Sequence, residues 1–420
     1  MDSSVLFALV AGIIIFGFLG ESIFRKTGVP SFIFLILIGM LLGPVFHLVS
    51  VNFLSILGPF AELTLLMILF YGGLDMKVSA ILKVGWRALL LVILYMGFSI
   101  TGITFFEVIV LKWPVLEALL FATIIGGQTS TSIIMPLAKA LKLGDVTVTT
   151  LTLESIINSV IGITLFLALL NMYTAGVPSS AVLSVLTETI IANVTSGVVM
   201  GGIFGFSALF IFRKLEEHTY SYVLTIGLVL LTYAAAVAIN ASGEIAVFTF
   251  GVIIGNYALV NKIQKTQLHL DHVTDKLKEF QNEITFLLNT LFFVFLGLTF
   301  RLDFSTLVLY FLLSTMFVAI LIGCRAIAVS ITAANSSDLS PYKGLMTVLS
   351  NQGIMQAVLV IFVLNTGAPF GGTFLDLVTY VIVLTNLLTA VAVLIVIRKH
   401  KTSFKDFMAL TLAEQQHNPT

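Results

Sequence analysis

The stretches that decide the fold are Gly126-Gly127-Gln128-Thr129-Ser130-Thr131-Ser132 and Ser350-Asn351-Gln352-Gly353-Ile354-Met355-Gln356. Each one interrupts a run of residues that is otherwise apolar enough to span a membrane. Backbone unwinds at membrane depth only where protein or a cavity satisfies its polar groups. Two such interruptions at corresponding positions in the two halves of a chain indicate a transport site between inverted repeats.

The composition outside these stretches is that of a membrane protein. Of the 420 residues, 58% are hydrophobic and 10% are charged, and the mean hydropathy is +1.10. A soluble domain has about 25% charged residues. These values exclude a soluble enzyme, a disordered chain and a nucleic-acid-binding protein. We therefore expect an all-α polytopic protein of the cell (plasma) membrane, surrounded by lipid.

Apolar runs broken at charged or turn-rich segments predict thirteen transmembrane helices. The predicted spans are 4–24, 29–48, 53–74, 87–111, 115–138, 146–171, 179–212, 219–239, 244–260, 284–300, 304–333, 344–366 and 373–397. All but three of the 21 Lys and Arg residues fall in the odd-numbered gaps or the C-terminal tail, and these three are Lys112, Arg301 and Arg325. This bias predicts an N-terminus outside and a cytoplasmic C-terminus.

Folding spans one to six onto spans eight to thirteen gives two inverted six-helix repeats. This superposition places the fifth span opposite the twelfth, so we expect these two discontinuous helices to cross at their breaks. The segment 261–282 is the long cytoplasmic loop and is predicted to form an amphipathic surface helix. Residues 398–420 are predicted to be a short cytoplasmic tail.

Three ionisable residues lie deep inside predicted spans, where charge is costly and indicates a function. Glu154 and Arg325 have opposite charges, and we predict that they pair because an unpaired buried charge costs several kcal/mol. Glu62 is a secondary acid, for which we favour a hydrogen bond to a neighbouring hydroxyl. The acids nearer the span ends are expected to be interface residues or caps: Glu107, Glu117, Glu188, Glu244, Glu283 and Asp376.

The sixth span places an amide and hydroxyls next to its acid. Glu154 and Asn158 are four residues apart and share a helix face. Hard oxygen ligands of this kind suit a small alkali cation. The predicted ion-binding residues are Thr129, Ser130, Glu154, Ser155, Asn158 and Ser159. The predicted polar residues of the unwound segments are Gln128, Thr131, Asn351 and Gln352.

Several motifs together resemble those of the monovalent cation:proton antiporters, of the sodium/proton or potassium/proton exchanger type. The resemblance covers about residues 5–397. The matching segments are Gly28-Val29-Pro30, Gly43-Pro44, Ala61-Glu62-Leu63, Phe70-Tyr71-Gly72-Gly73-Leu74-Asp75, Leu153-Glu154-Ser155, Gly251 to Asn256, Glu283-Ile284 and Phe292 to Leu298. Arg325 falls where the family has the arginine that pairs with the sixth-span glutamate.

The resemblance implies a homodimer that exchanges a cation for protons by elevator-type alternating access. The transporter unit would comprise residues 1–397. Core helices would lie at about 87–171 and 304–397, and dimerisation helices at about 4–74 and 179–300. We expect no catalytic residue, no metal beyond the transported ion, no cofactor and no nucleotide or nucleic-acid partner, since no glycine motif for phosphate binding is found.

The chain departs from the family pattern at its acids. Ser130 and Ser159 stand where the family has aspartates, and Gln352 stands where it has an arginine. Glu154 would then take the proton when it separates from Arg325. The alternatives are an uncoupled cation or anion transporter, a channel-like branch, or a degenerate member that does not transport.

Overall fold

The computed structural model describes residues 11–20, 31–46, 54–129, 143–178, 181–214, 221–264, 271–300 and 304–399, and within these ranges every regular element is a helix. The helices, numbered along the chain, are α1 (Ala11–Gly20), α2 (Ser31–Met40), α3 (Leu54–Asp75), α4 (Val78–Phe106), α5 (Val115–Ile125), α6 (Asp145–Thr174), α7 (Val182–Lys214), α8 (Ser221–Ala238), α9 (Gly243–Gly255), α10 (Tyr257–Gln264), α11 (Asp271–Thr299), α12 (Phe304–Thr332), α13 (Lys343–Val348), α14 (Ile354–Asn365) and α15 (Gly371–Lys399). Turns of π-helix, Leu41–Val45 and Glu107–Leu111, follow α2 and α4.

Five of the described helices are long and apolar enough to cross a membrane. They are Val84–Leu111, Asp145–Thr174, Ser184–Phe212, Thr306–Thr332 and Gly371–Ala392. Shorter apolar helices, such as α5 and α14, account for other predicted spans. The count of thirteen spans, the inverted repeats and the orientation of the termini stay predictions.

The described parts of the segment 261–282, for which an amphipathic surface helix is predicted, are helical, but they do not form a helix of their own. In the described part of this region, α10 ends at Gln264, and α11 runs without interruption from Asp271 to Thr299. The charged residues of 271–283 therefore form the first turns of the same helix that carries the predicted tenth span. Charge pattern alone did not reveal this continuity, because helical propensity does not change at the point where polarity changes.

By its contacts the chain divides into two compact units. Unit 1 comprises Met1–Gly58, Val84–Asn158 and Leu287–Thr420, and unit 2 comprises Pro59–Lys83 and Ser159–Phe286. The predicted core ranges, 87–171 and 304–397, fall in unit 1 except for residues 159–171. Which helices move and which form a dimer contact stay predictions.

The interior of unit 1 brings α4, α6, α12 and α13 together. Leu91 and Tyr95 of α4 pack with Leu151 of α6, Val329 of α12 and Met346 of α13, and all are buried. A second apolar group is aromatic, with Trp113 against Phe121 and Phe374. These clusters hold the middle of α6 and α12 next to each other in the unit's interior.

Unit 2 has its own core, built from α3, α7, α8 and α9. Phe70, Phe212, Val229 and Phe250 are fully or almost fully buried in one cluster. Gly73 of α3 lies directly against the backbone of α9, since a Cβ at this position would be 2.3 Å from the carbonyl oxygen of Phe248. Small residues at such crossings let apolar helices pack at close range.

The helix of the predicted fifth span ends where its glycines begin. Gly126 follows α5 with an extended backbone, φ −84° and ψ 118°. Gly127 then has φ +79°, and a Cβ there would lie 2.6 Å from the Cα of Met96. Residues with a Cβ rarely adopt this conformation. The Gly-Gly pair therefore turns the chain out of the helix while the segment stays buried.

We expect Gly127→Ala to destabilise the protein by more than about 1 kcal/mol, because the new Cβ meets both an unfavourable φ and the backbone of α4. Thermal unfolding of the purified protein in detergent measures this change. Gly97→Ala is the matched control, because Gly97 lies on the same helix as Met96 and a Cβ there would meet no atom within 4 Å. Equal unfolding temperatures for the two variants would contradict the expectation.

Candidate functional site

A buried ion pair lies at the centre of unit 1. Nη1 of Arg325 on α12 donates to Oε1 of Glu154 on α6 at 2.7 Å, and Nη2 donates to Oε2 at 3.0 Å. Both side chains are about 1% exposed. Such bidentate pairs have a fixed geometry as well as a strong charge-assisted bond. The structure thus brings together the two residues that the sequence predicts to pair.

The third nitrogen of the guanidinium, Nε, and the flat face of the group also have partners. Nε of Arg325 donates to the carbonyl oxygen of Met346 at 2.7 Å. The guanidinium carbon lies 4.8 Å from the ring centroid of Tyr95, which fits a cation–π contact. Arg325 therefore links four helices: its own α12, α6 through Glu154, α13 through Met346 and α4 through Tyr95.

Asn158 is bonded to the same carboxylate. Its Nδ2 donates to Oε1 of Glu154 at 3.2 Å, one helical turn away on α6. The amide nitrogen must face the acid because a carboxylate oxygen only accepts. This orientation leaves Oδ1 of Asn158 without a hydrogen-bond partner among the described residues, although the side chain is fully buried.

The first break is held against α6 by a serine. Oγ of Ser155 donates to the carbonyl oxygen of Thr129 at 2.6 Å. Nε2 of Gln128 turns back and donates to the carbonyl oxygen of Thr123 at 3.0 Å. Both interactions satisfy backbone carbonyls that have lost, or lie at the end of, the helical bonding pattern.

The second break, between α13 and α14, is built around Gln352. Its Nε2 donates to the carbonyl oxygen of Ile125 at 2.6 Å, so the two breaks meet. Its own carbonyl oxygen accepts from Nδ2 of Asn386 at 2.5 Å, and its backbone N–H donates to Oγ1 of Thr385 at 3.4 Å. The next N–H, of Gly353, donates to Oε1 of Gln356 at 2.8 Å.

A set of side-chain oxygens from α6 and the two breaks is buried and unpartnered. Among the described residues, no hydrogen bond reaches Oε1 of Gln128, Oγ1 of Thr129, Oδ1 of Asn158, Oγ of Ser350 or Oε1 of Gln352. Buried polar atoms in folded proteins are almost always bonded. Three of these five atoms are amide oxygens, which can only accept, so this region is suited to an electropositive guest.

The remaining predicted site residues lie near the breaks, outside the described residues, or in unit 2. Asn351 is buried in the second break, and Ser159 follows Asn158 on α6 and is half-buried. Ser130 and Thr131 lie outside the described residues. In unit 2, the hydroxyl of Tyr233 on α8 donates to Oε1 of Glu62, the kind of partner that we expected for this acid.

Glu107 departs from the expectation that it is an interface residue or cap. It lies in the π-turn after α4, and its exposed fraction is 0%. In the part of the chain that the structure describes, neither of its carboxylate oxygens has a hydrogen-bond partner. Sequence position near a span end did not indicate this burial, which depends on how neighbouring helices cover the turn.

Three contributors to the site were not predicted from sequence. Tyr95 looked like one more apolar aromatic residue on the fourth span. Thr385 and Asn386 form a polar pair in the middle of the apolar thirteenth span, and this interruption was a usable signal. Their role depends on α15 lying beside the second break, which no local pattern encodes.

Comparison with known proteins gives consistent matches. The family model described as sodium/hydrogen exchanger, transmembrane, matches residues 5–399. The Na(+)/H(+) antiporter NhaP of Pseudomonas aeruginosa is 26% identical over 55% of this chain and 54% of its own length. A probable Na(+)/H(+) antiporter 2 of Methanocaldococcus jannaschii is 25% identical over 65% of this chain and 64% of its own length. The alignments thus span between half and two thirds of these relatives, which are transporters and not enzymes.

A solved structure has the same fold. The sodium proton antiporter MjNhaP1 of Methanocaldococcus jannaschii superposes with a TM-score of 0.77, covering 97% of this chain and 99% of that chain at 19% sequence identity. The arrangement of helices is therefore shared across nearly the full length of both chains.

We expect removal of either partner of the buried pair, by Glu154→Met or Arg325→Met, to cost about 3–5 kcal/mol of unfolding free energy, because the other charge stays buried and unpaired. The double substitution should recover most of this loss. Unfolding of purified protein in denaturant measures the cycle. The control is the half-exposed pair of Asp75 and Lys278 in unit 2, whose loss should cost less than about 1 kcal/mol. Additive single effects at Glu154 and Arg325 would contradict the prediction.

Proposed function

Since the chain belongs to the sodium/hydrogen exchanger family, we propose that it is a secondary active transporter of the cell membrane that exchanges a monovalent cation, sodium or potassium, for protons. Alternating access would be of the elevator type, with the site carried on the core helices. The protein would act as a homodimer. Its coupling energy would come from ion gradients.

The observation that carries this proposal is the group of buried, unpartnered oxygens. The side-chain carbonyl oxygens of Gln128, Asn158 and Gln352 and the hydroxyl oxygens of Thr129 and Ser350 need an electropositive partner. Neutral, hard oxygens of this kind are suited to an alkali cation that has shed part of its hydration shell. Ser130, a predicted ligand that lies outside the described residues, would add a further hydroxyl oxygen to these proposed cation ligands.

The electrostatics favour a cation over an anion. Arg325 is the deep positive charge among the described residues of unit 1, and Glu154 together with the Met346 carbonyl occupies its Nη1, Nη2 and Nε. The positive charge of Arg325 is therefore already balanced by Glu154. The side-chain carbonyl oxygens of Gln128, Asn158 and Gln352 can only accept, and these atoms repel an anion.

Proton coupling requires an acid, and Glu154 is the acid closest in sequence to the proposed ligands. Both of its oxygens are engaged by Arg325, and one also accepts from Asn158. Glu154 would therefore accept a proton only in a state in which Arg325 has withdrawn. Loss of the Asn158 contact in that state would also change the cation ligand set, which links the two events.

The experiment that tests the function uses purified protein in liposomes that hold a pH-sensitive dye. A pH gradient is imposed, and sodium, potassium or lithium salts are added in turn, with chloride then replaced by gluconate. Exchange predicts that a cation collapses the gradient and that the anion makes no difference. Silence with every cation, in vesicles shown to be tight and to hold folded protein, would overturn the proposal.

Within this assay, we expect Thr129→Val to raise the KM for the cation by about tenfold or more, because a polar contact to a charged group contributes roughly 1.5–3 kcal/mol. The substitution preserves shape and removes one proposed ligand. Thr332→Val is the matched control, because Thr332 is also buried with an unpartnered hydroxyl but lies about two helical turns beyond Arg325 on α12. Equal KM values for the two variants would remove Thr129 from the site.

A further inference from the structure

The proposed function leaves two of the described buried acids, Glu107 and Asp376, without a role, and only Glu107 has both carboxylate oxygens unpartnered. Glu107 begins the π-turn Glu107–Leu111 at the end of α4 and is 0% exposed. Its Oε1 and Oε2 both lack hydrogen-bond partners among the described residues.

Structural acids elsewhere in the protein are bonded, and this contrast separates Glu107 from them. Glu154 accepts from Arg325, Glu62 accepts from Tyr233, and Glu244 accepts from the hydroxyl of Ser242 at 3.0 Å. A carboxyl group that stabilises a fold does so through such bonds, and a buried one without them destabilises it. Packing alone therefore gives no reason for an acid at this position.

The neighbours of Glu107 in the chain pack among aromatic rings. Phe106 contacts Phe317 edge to face at 5.6 Å between ring centroids. Trp113, whose backbone N–H donates to the backbone carbonyl oxygen of Glu107 at 3.2 Å, stacks on Phe374 at 5.5 Å. The residues on both sides of Glu107 in the chain therefore pack in apolar, aromatic surroundings.

Charged groups on the surrounding elements do not compensate the acid. Lys112 ends the π-turn with φ 60° and is exposed, Glu117 lies on α5, and Asp376 lies on α15 beyond Phe374. None of them hydrogen-bonds to Glu107. An ionised carboxylate here would cost several kcal/mol, which favours the neutral form of the acid with a proton bound.

We propose that Glu107, rather than the arginine-bound Glu154, binds the proton that the transporter exchanges for the cation. The inference rests on the proposed function and adds an acid that is independent of the Arg325 pair. Because Glu107 lies within the predicted core range 87–171, the proposed elevator movement would bring it into contact with water on one side and then on the other. The protonated carboxyl gives its O–H proton to a water molecule in the first of these states. The resulting carboxylate takes a proton from hydronium on the other side, so each cycle moves one proton and leaves the residue unchanged.

The π-turn that carries Glu107 lies near the surface of the protein. It is followed by the exposed residue Lys112, and its residues Ile109 and Val110 are 50% and 59% exposed. Glu107 therefore lies one turn from the protein surface, although its own side chain is buried.

The test compares wild type with Glu107→Gln and Glu107→Met in liposomes, using Glu117→Gln as the matched control on the adjacent helix. Two rates are measured for each: cation-driven proton movement, and exchange of radioactive sodium for sodium without a pH gradient. We expect both Glu107 variants to lose proton movement to the level of empty vesicles while retaining sodium exchange. Glu107→Met should unfold at the same or a higher temperature, because an unpartnered acid is replaced by an apolar group. Glu117→Gln should behave as wild type.

Two results would overturn the inference. One is wild-type proton movement with an unchanged pH profile in folded Glu107→Gln or Glu107→Met. The other comes from infrared difference spectra. The wild type should show the C=O stretch of a protonated carboxyl, and this band should disappear in Glu107→Gln. If the band is absent in the wild type, Glu107 binds no proton. Inactivity of the wild type itself would instead count against the proposed function, and the infrared signal would then still decide whether Glu107 is protonated.

Discussion

Backbone that leaves a helix inside an apolar interior must find new hydrogen-bond partners, and the centre of unit 1 is organised around this constraint. The carbonyl of Ile125 at the end of α5 accepts from Gln352, and the carbonyl of Gln352 accepts from Asn386. The carbonyl of Thr129 accepts from Ser155. Each break is therefore satisfied by a side chain from another element, so neither break is stable without its neighbours.

This solution has a chemical consequence. Asn158, Gln128 and Gln352 each use the amide nitrogen to bond the protein and thereby leave the amide oxygen unbonded. The orientation of each amide follows from its acceptor, which is a carboxylate or a backbone carbonyl. In each of these amides the nitrogen is bonded to the protein and the oxygen is free to accept. A cation is suited to these oxygens, while the Glu154–Arg325 pair is neutral overall and links the surrounding helices.

Hydrogen bonding also distinguishes the buried acids Glu154 and Glu107. Both oxygens of Glu154 are engaged by Arg325. Ser130 and Ser159, which the resemblance to the antiporters places at aspartate positions, carry no charge, and the fold is shared with MjNhaP1 at 19% identity. The apolar interior that supports this fold tolerates such exchanges, because packing depends on volume and shape. Proton binding at Glu107 would move the titratable group away from the cation ligands.

The sequence by itself determined the class of the protein, the two broken spans, and the identity of the buried pair, since apolar length, interruptions and rare charges are local features of the chain. It misplaced the start of α11, gave Glu107 a surface role and passed over Tyr95, Thr385 and Asn386. Only the tertiary structure decided that Gln352 reaches Ile125, and which buried oxygens stay unbonded. The physical reason is that hydrogen-bond satisfaction and burial depend on elements distant in the chain, whose relative positions no local pattern specifies.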